Sequence, residues 1–382
     1  SIIIRFFSPI VHVMRAWSSL RVANQVTSEV APQCIITAED TGYIAPFFVK
    51  AAKSQGVISI TCPFSMANHE ELVGARKRHG RFKVGRSSIV KKVFLAAFPK
   101  WAIATPYGPI LCNDWSVALS LEIFRVAPQN PWQITGGNSD YVFVESDFIK
   151  NYYVRSGTDQ NKIFLIGCPS NTVPISGINV SDAREKLATE LNIDGKLKWV
   201  LLALPPDHIN DKLFLSHADM VMFLIDSMRH EEVVLLVSLH PRTRNQDVRT
   251  VDWSDRIVNV DSPIEKIVSH CDIFVASCSA TIRYALATRK PVINFDIYGL
   301  EYTEYDSFPM VLRVDSPEQF KDSYHRLIKD KSYIQSLTSF YSGYADDYFS
   351  GGSFRFPDKL NHIIQAGIKD YQTIGPAKMF LT

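Results

Sequence analysis

Three short apolar runs constrain this chain most. Val233–Ser238 (VVLLVS), Asp272–Ala276 (DIFVA) and Pro291–Phe295 (PVINF) are rich in β-branched and aromatic residues, and each stops at a polar cluster. Runs of this length, bounded by turn residues, read as buried strands. Helical patterns fill the gaps between them, so a parallel sheet wound with helices is the expected architecture. In such sheets ligands gather beyond the carboxyl ends of the strands. The first run leads into His240-Pro241-Arg242 and the second into Ser277-Cys278-Ser279-Ala280-Thr281. A Ser/Thr-rich turn opening a helix offers free N–H groups to an anion, and a His at the next strand end can donate to the same anion. These residues predict a nucleotide-phosphate site with neither a metal nor a Walker lysine.

A chain of 382 residues holds two domains of ordinary size. The formal net charge of +2 argues against a dedicated nucleic-acid binder. The six cysteines are scattered singly, with no C-x-x-C pair, which argues against structural zinc and a disulfide framework and fits a reducing cytoplasm. No run of eighteen apolar residues occurs, so no membrane span is expected. The chain opens on Ser1 inside an apolar pattern broken by Arg5 and Arg15. It is read as a domain cut from a longer protein, part of a larger multidomain synthase, and not as carrying a signal peptide.

Strands are expected at Gln33–Ala38, Val57–Thr61, Trp101–Thr105, Tyr141–Glu145, Ile163–Ile166 and Lys198–Leu204 in addition to the three above. Helices are expected at 10–30, Tyr43–Gln55, Ser146–Ser156, 181–191, 213–230, Ile264–His270, Ser316–Lys329 and Lys331–Tyr341. The Pro/Ser/Asn/Gly-rich stretch 168–180 reads as a linker. Residues 1–168 and 181–350 then form two Rossmann-like domains, and a last helix near Lys359–Lys369, within 351–382, is expected to cross back to the first. The fold class is α/β, GT-B-like, with donor and acceptor in a cleft between the domains.

Each candidate residue also has a structural reading. Ser277 or Ser279 can be a helix N-cap, and capping and phosphate binding use the same N–H groups. Ser262-Pro263-Ile264 is either a Pro-started first turn or a loop whose backbone reads a nucleotide base. Glu39-Asp40-Thr41-Gly42 directly follows the strand QCIITA, as a helix-starting acidic turn or as a general acid/base. Asn113-Asp114 is by itself a polar turn. Arg76–Lys92 holds eight Lys/Arg, and no acid occurs between Glu71 and Asp114. It is a solvated loop or an electrostatic surface for an acidic glycan, a lipid pyrophosphate or a membrane.

Taken together, the acidic pair, the His-Pro motif and the Ser/Thr cluster resemble bacterial GT-B transferases that use CMP-activated acidic sugars. These are the sialyltransferases and, most similar, the retaining β-Kdo (3-deoxy-D-manno-octulosonic acid) transferases of lipopolysaccharide O-antigen and capsule assembly. The resemblance implies a cytoplasmic enzyme at the inner face of the bacterial inner membrane, a CMP-Kdo donor, a glycan acceptor, no metal and no further cofactor. It places the CMP phosphate on His240 and the serine cluster, makes Glu39 the acid/base with Asp40 second, and puts a carboxylate nucleophile at Asn113-Asp114. An Asn at the nucleophile position would disable the chain, and the reading leans to Asn113. UDP-N-acetylglucosamine 2-epimerases and CDP-glycerol glycerophosphotransferases carry a similar LHPR segment and Ser-rich strand end. A catalytically inactive nucleotide- or glycan-binding module is the remaining alternative.

Overall fold

The alternation read from the sequence is present as two separate parallel sheets. The computed structural model describes residues 2–42, 44–63, 69–85, 87–106, 108–166, 180–207, 213–301, 303–339, 361–362 and 364–366. The chain divides into two compact units, one of residues 1–168 with 351–382 and one of residues 169–350. Of the expected linker at 168–180, residues 168–179 lie outside the described residues, and Val180 already begins a helix. Of the last helix only 361–362 and 364–366 are described, and they are helical.

In the first unit the strands are β1 (Cys34–Thr37), β2 (Ile58–Thr61), β3 (Ala102–Ile103), β4 (Ile110–Leu111), β5 (Tyr141–Val144) and β6 (Ile163–Leu165). The helices are α1 (Ile2–Val30), α2 (Ala45–Ser54), α3 (His69–Arg76), α4 (Ile89–Ala97), α5 (Trp115–Ile123) and α6 (Asp147–Arg155). The sheet is all parallel in the order β1-β2-β5-β6, with Cys34 opposite Ile58 and Val142 opposite Ile163. Side chains of β5 alternate faces, as the pleat demands. Val142 and Val144 pack with Ile149, Tyr152 and Tyr153 of α6, whereas Phe143 joins Ile58, Ile60, Ile166 and Ile364. No described helix is long and apolar enough to cross a membrane.

Trp101–Thr105 departs from expectation. Pro99–Trp101 forms one 3-10 turn, and only Ala102–Ile103 is strand. It pairs antiparallel with β4 in a two-stranded hairpin outside the main sheet. Pro106 and Pro109 flank the turn and lack the N–H that a longer ladder needs, and Gly108, at φ +99°, closes it.

The second unit holds α7 (Val180–Leu191), β7 (Lys198–Ala203), α8 (His217–Met228), β8 (Val233–Ser238), α9 (Asn245–Val248), β9 (Ile257–Asn259) and α10 (Ile264–Ile267). It continues with β10 (Ile273–Ala276), α11 (Ile282–Ala287), β11 (Val292–Phe295), β12 (Val311–Val314), α12 (Pro317–Lys329) and α13 (Lys331–Ser339). Its six parallel strands lie in the order β12-β11-β10-β7-β8-β9. The chain winds outward from β7 to β9, returns to the other side of β7 and winds outward again. The order therefore reverses between β7 and β10, the crevice where open α/β sheets take ligands. β7 lies deep in the core, with Trp199 to Leu202 fully buried. Serines start three helices by the same device. Ser146, Ser216 and Ser316 accept the amides of Ile149, Asp219 and Gln319 at 3.3, 3.1 and 3.3 Å.

Candidate functional site

Three adjacent strands of the second unit end in loops at the reversal. Pro205–Asp207 follow β7, Leu239–Arg244 follow β8, and Ser277–Thr281 follow β10. His240 is half-buried, while Pro241 and Arg242 are exposed. The His240 Nδ1 accepts the backbone N–H of Arg242 at 3.1 Å, and its carbonyl accepts the amide of Thr243 at 2.8 Å. With Nδ1 an acceptor, the neutral ring carries its hydrogen on Nε2. The tight turn thus makes His240 a donor at a strand end.

Arg244 pairs with Asp207 at 2.9 Å and with Asp247 at 3.1 Å. Asp247 is buried, and its carboxylate also lies 2.9 Å from the Nδ1 of buried His217. Burial alone would push the Asp247 carboxyl up, but hydrogen bonds from Arg244 and His217 outweigh it and hold it below the ordinary range. The Nε2 of His217 lies 2.9 Å from the carbonyl of Pro205. This network ties the loop after β7 to the loop after β8.

Ser277 is only 6% exposed, and its hydroxyl has no hydrogen-bond partner among the described residues. Cys278 sits at φ +45°, a strained position for a residue with a Cβ. Its N–H donates to the side-chain oxygen of buried Asn294 at 2.8 Å. The Ser279 and Thr281 hydroxyls lie 2.8 Å apart, and the Thr281 amide donates to Ser279 Oγ at 3.2 Å. Ala280 completes the turn into α11. Asp296, after β11, accepts the amides of Leu300 and Glu301 at 2.8 and 2.7 Å. Tyr298 donates to the carbonyl of Pro206 at 2.7 Å. Exposed Ser262 and half-buried Ile264 follow β9, the edge strand, so they share the sheet end but stand two strands from the reversal.

In the first unit the acidic pair divides. Asp40 is buried and accepts the amides of Gly137 and Ser139 at 2.8 and 3.0 Å, while its own N–H donates to the Ile134 carbonyl at 3.0 Å. Burial pushes its carboxyl up, opposed by those amides. Its carboxylate therefore anchors the 134–139 loop (ITGGNS). Glu39 is half-buried, and its carboxylate forms no hydrogen bond or ion pair among the described residues. Burial, then the charge of Asp40, raise its pKa above the ordinary glutamate value. It lies over Gly42, where a Cβ would come within 2.8 Å of Oε1.

Asn113 and Asp114 follow the hairpin strand β4, so they are not at the edge of the parallel sheet. The Asn113 Oδ1 accepts the Asp114 N–H at 2.9 Å. Asp114 caps α5, accepting the amide and hydroxyl of Ser116 at 3.0 and 2.6 Å. Both side chains are engaged locally. His217, Asp247, Asp207, Asn294 and the Gly136-Gly137 loop are absent from the sequence reading. Only the strand-end position of Asn294 and Asp296 signals them, because the rest meet solely through the fold.

Neither a protein-family model nor a curated protein sequence matches the chain. Solved structures do. A variant of the wall teichoic acid polymerase TagF aligns at 12% identity and TM-score 0.53 over 89% of this chain and 74% of that one. MnaA of S. aureus in complex with UDP aligns at 14% identity and TM-score 0.51, over 92% and 80%. The UDP-GlcNAc 2-epimerase of Neisseria meningitidis, bound to UDP-GlcNAc, aligns at 12% and 0.51, over 87% and 78%. A further TagF match spans 59% of that chain. At these identities the likeness is one of fold: the chain has a GT-B-like fold of two Rossmann-like units.

Proposed function

We propose that the chain transfers Kdo, or a related acidic 2-keto sugar, from a CMP-activated donor to a glycan hydroxyl, without a metal. One observation carries the nucleotide part. At the strand reversal of the second unit, the buried unpartnered hydroxyl of Ser277 and the Nε2–H of His240 stand at strand ends separated only by β7. A buried hydroxyl left unsatisfied is expensive, and a departing phosphate would satisfy that of Ser277, with the His240 ring beside it. The raised pKa of Glu39 suits a general acid/base that deprotonates the acceptor hydroxyl. The Kdo assignment rests on the sequence resemblance.

A second reading draws on Asn113 and Asp114. Retention by double displacement needs a second carboxylate to trap the anomeric carbon. Asp114 commits its Oδ1 to a helix cap and Asn113 carries no carboxylate, which favours chemistry without a glycosyl-enzyme intermediate. Transfer of glycerol phosphate from CDP-glycerol and epimerisation of UDP-GlcNAc are two such reactions. Calorimetry with CMP-Kdo, CDP-glycerol and UDP-GlcNAc in EDTA separates the readings. CMP-Kdo is expected to bind tightest, and Glu39→Gln to lower turnover about 10²- to 10⁴-fold with affinity kept. A uridine preference or strict metal dependence overturns the CMP reading. Binding without turnover, with activity gained by Asn113→Asp, identifies Asn113 as a missing nucleophile.

A further inference from the structure

Helix α4 is apolar on its outer side as well as its inner one. Its inner side carries buried Phe94, with Leu95 and Phe98 packed on the same core. Its outer side carries Ile89, Val90 and Val93, exposed by 72, 56 and 66%, together with exposed Ala96 and Ala97. At helical spacing these five side chains fall within an arc of about 120°. No charged residue interrupts the arc, and exposed Lys92 stands at its flank.

Cations are brought to the same place by a specific contact. The Lys91 Nζ donates to the carbonyls of Arg81 and Lys83 at 2.7 and 2.9 Å. That holds the loop bearing Arg81 and Lys83, both exposed, within one lysine side chain of the first turn of α4. Phe82 between them is buried, with the guanidinium carbons of Arg76 and Arg81 lying 4.8 and 4.6 Å from its ring centroid, so the loop is anchored. The sequence has no acid from 72 to 113.

We infer that this surface binds an anionic lipid bilayer, with the aliphatic arc of α4 in the headgroup boundary and Arg81 and Lys83 on lipid phosphates. An apolar face bordered by cations is what an interfacial helix needs. A soluble polyanion would use the cations and leave the aliphatic residues in water. A protein partner needs roughly 800 Å² on each side, more than a nine-residue helix face supplies. The inference does not depend on the proposed sugar transfer.

Flotation tests it, with vesicles of phosphatidylcholine alone and of phosphatidylcholine mixed with phosphatidylglycerol. The chain is expected to float with the anionic vesicles only, and high salt should release it. Two variants, Ile89→Gln/Val90→Gln/Val93→Gln and Arg81→Gln/Lys83→Gln, should each lower partitioning by about tenfold or more. Gln has better helix propensity than Val, so unchanged circular dichroism and nucleotide affinity would exclude misfolding. Equal binding to neutral vesicles, or full binding by the triple variant, overturns the inference. So does loss only on Met14→Gln/Trp17→Gln, exposed positions of α1, which would move the contact to that helix. Loss with the cation variant alone, together with competition by an acidic polysaccharide, would identify a polyanion surface instead.

Discussion

At the end of β1, Asp40 turns its two carboxylate oxygens inward onto the amides of Gly137 and Ser139. At the end of β10, Ser277 buries a hydroxyl with no partner, and Cys278 is held at φ +45° by Asn294. The first loop spends its polar capacity on the fold. The second leaves capacity unspent and stores backbone strain beside it. Groups held at such a cost mark places where a ligand completes the structure. Within the acidic pair the same division recurs, because Asp40 is consumed by the fold and Glu39 is not.

The largest expected effect tests the inward loop. A Cβ on Gly137 would lie 2.3 Å from the Asp40 carbonyl oxygen and 2.4 Å from its Cγ. Backbone cannot yield as a flexible side chain does, so Gly137→Ala should cost about 3 kcal/mol or more, at the upper end for overpacking. Gly85→Ala, whose Cβ would meet only the Ser88 Oγ at 3.8 Å, is the control. Urea denaturation reads both. A tolerated Gly137→Ala would mean that the Asp40 anchor is soft, and the contrast between the loops would fail.

The middle effects test the open loop. His240→Ala should weaken nucleotide binding by about 1.5–3 kcal/mol, the range for a hydrogen bond to a charged group, with thermal stability nearly unchanged. Ser277→Ala should do two things at once. It removes an unsatisfied buried hydroxyl and so should stabilise the free protein by about 1 kcal/mol, while weakening nucleotide binding. Calorimetry and thermal melts on the same samples give the two signs. Destabilisation by Ser277→Ala would show that the hydroxyl is already satisfied, and the two loops would then be alike.

Legibility in the sequence follows the same physics. The inner strands β7, β8, β10 and β11 are continuous apolar runs because both faces are buried, and their polar ends exposed His240 and Ser277 to a reader. Edge strand β9 has only three residues, and edge strand β12 (VLRV), as long as β10 and β11, carries a half-exposed pattern that resembles a loop. WAIAT has the local apolar pattern of a sheet strand, whereas Pro106, Gly108 and Pro109 turn it into a hairpin. His217 and Asp247 are thirty residues apart and meet only because α8 and α9 pack at one sheet end. Gly136-Gly137 reads as an ordinary turn until Asp40, nearly a hundred residues earlier, is placed against it. Residue types at strand ends were visible, but the spending of their hydrogen bonds was not.

The smallest effect divides the acidic pair itself. Burial, then the charge of Asp40, raise the Glu39 pKa. The folded chain therefore binds a proton at pH values where the unfolded chain has released it. Stability then falls as pH rises from the ordinary glutamate value through the raised folded one, and stays at the lower level above it. Glu39→Gln removes this contribution. Stability at neutral pH should rise slightly, by no more than about 0.5 kcal/mol, because the side chain is half-exposed and screened by solvent. The fall across the acidic window should flatten, and the slope that remains should combine Asp40, whose carboxyl burial also pushes up, with His270, whose pKa burial lowers and whose contribution has the opposite sign. Chemical denaturation from pH 4 to 8 measures both. A loss of stability at neutral pH in the Gln variant would show Glu39 holding the fold as Asp40 does. The raised carboxyl would then be structural, and the case for Glu39 as acid/base would lose its physical basis.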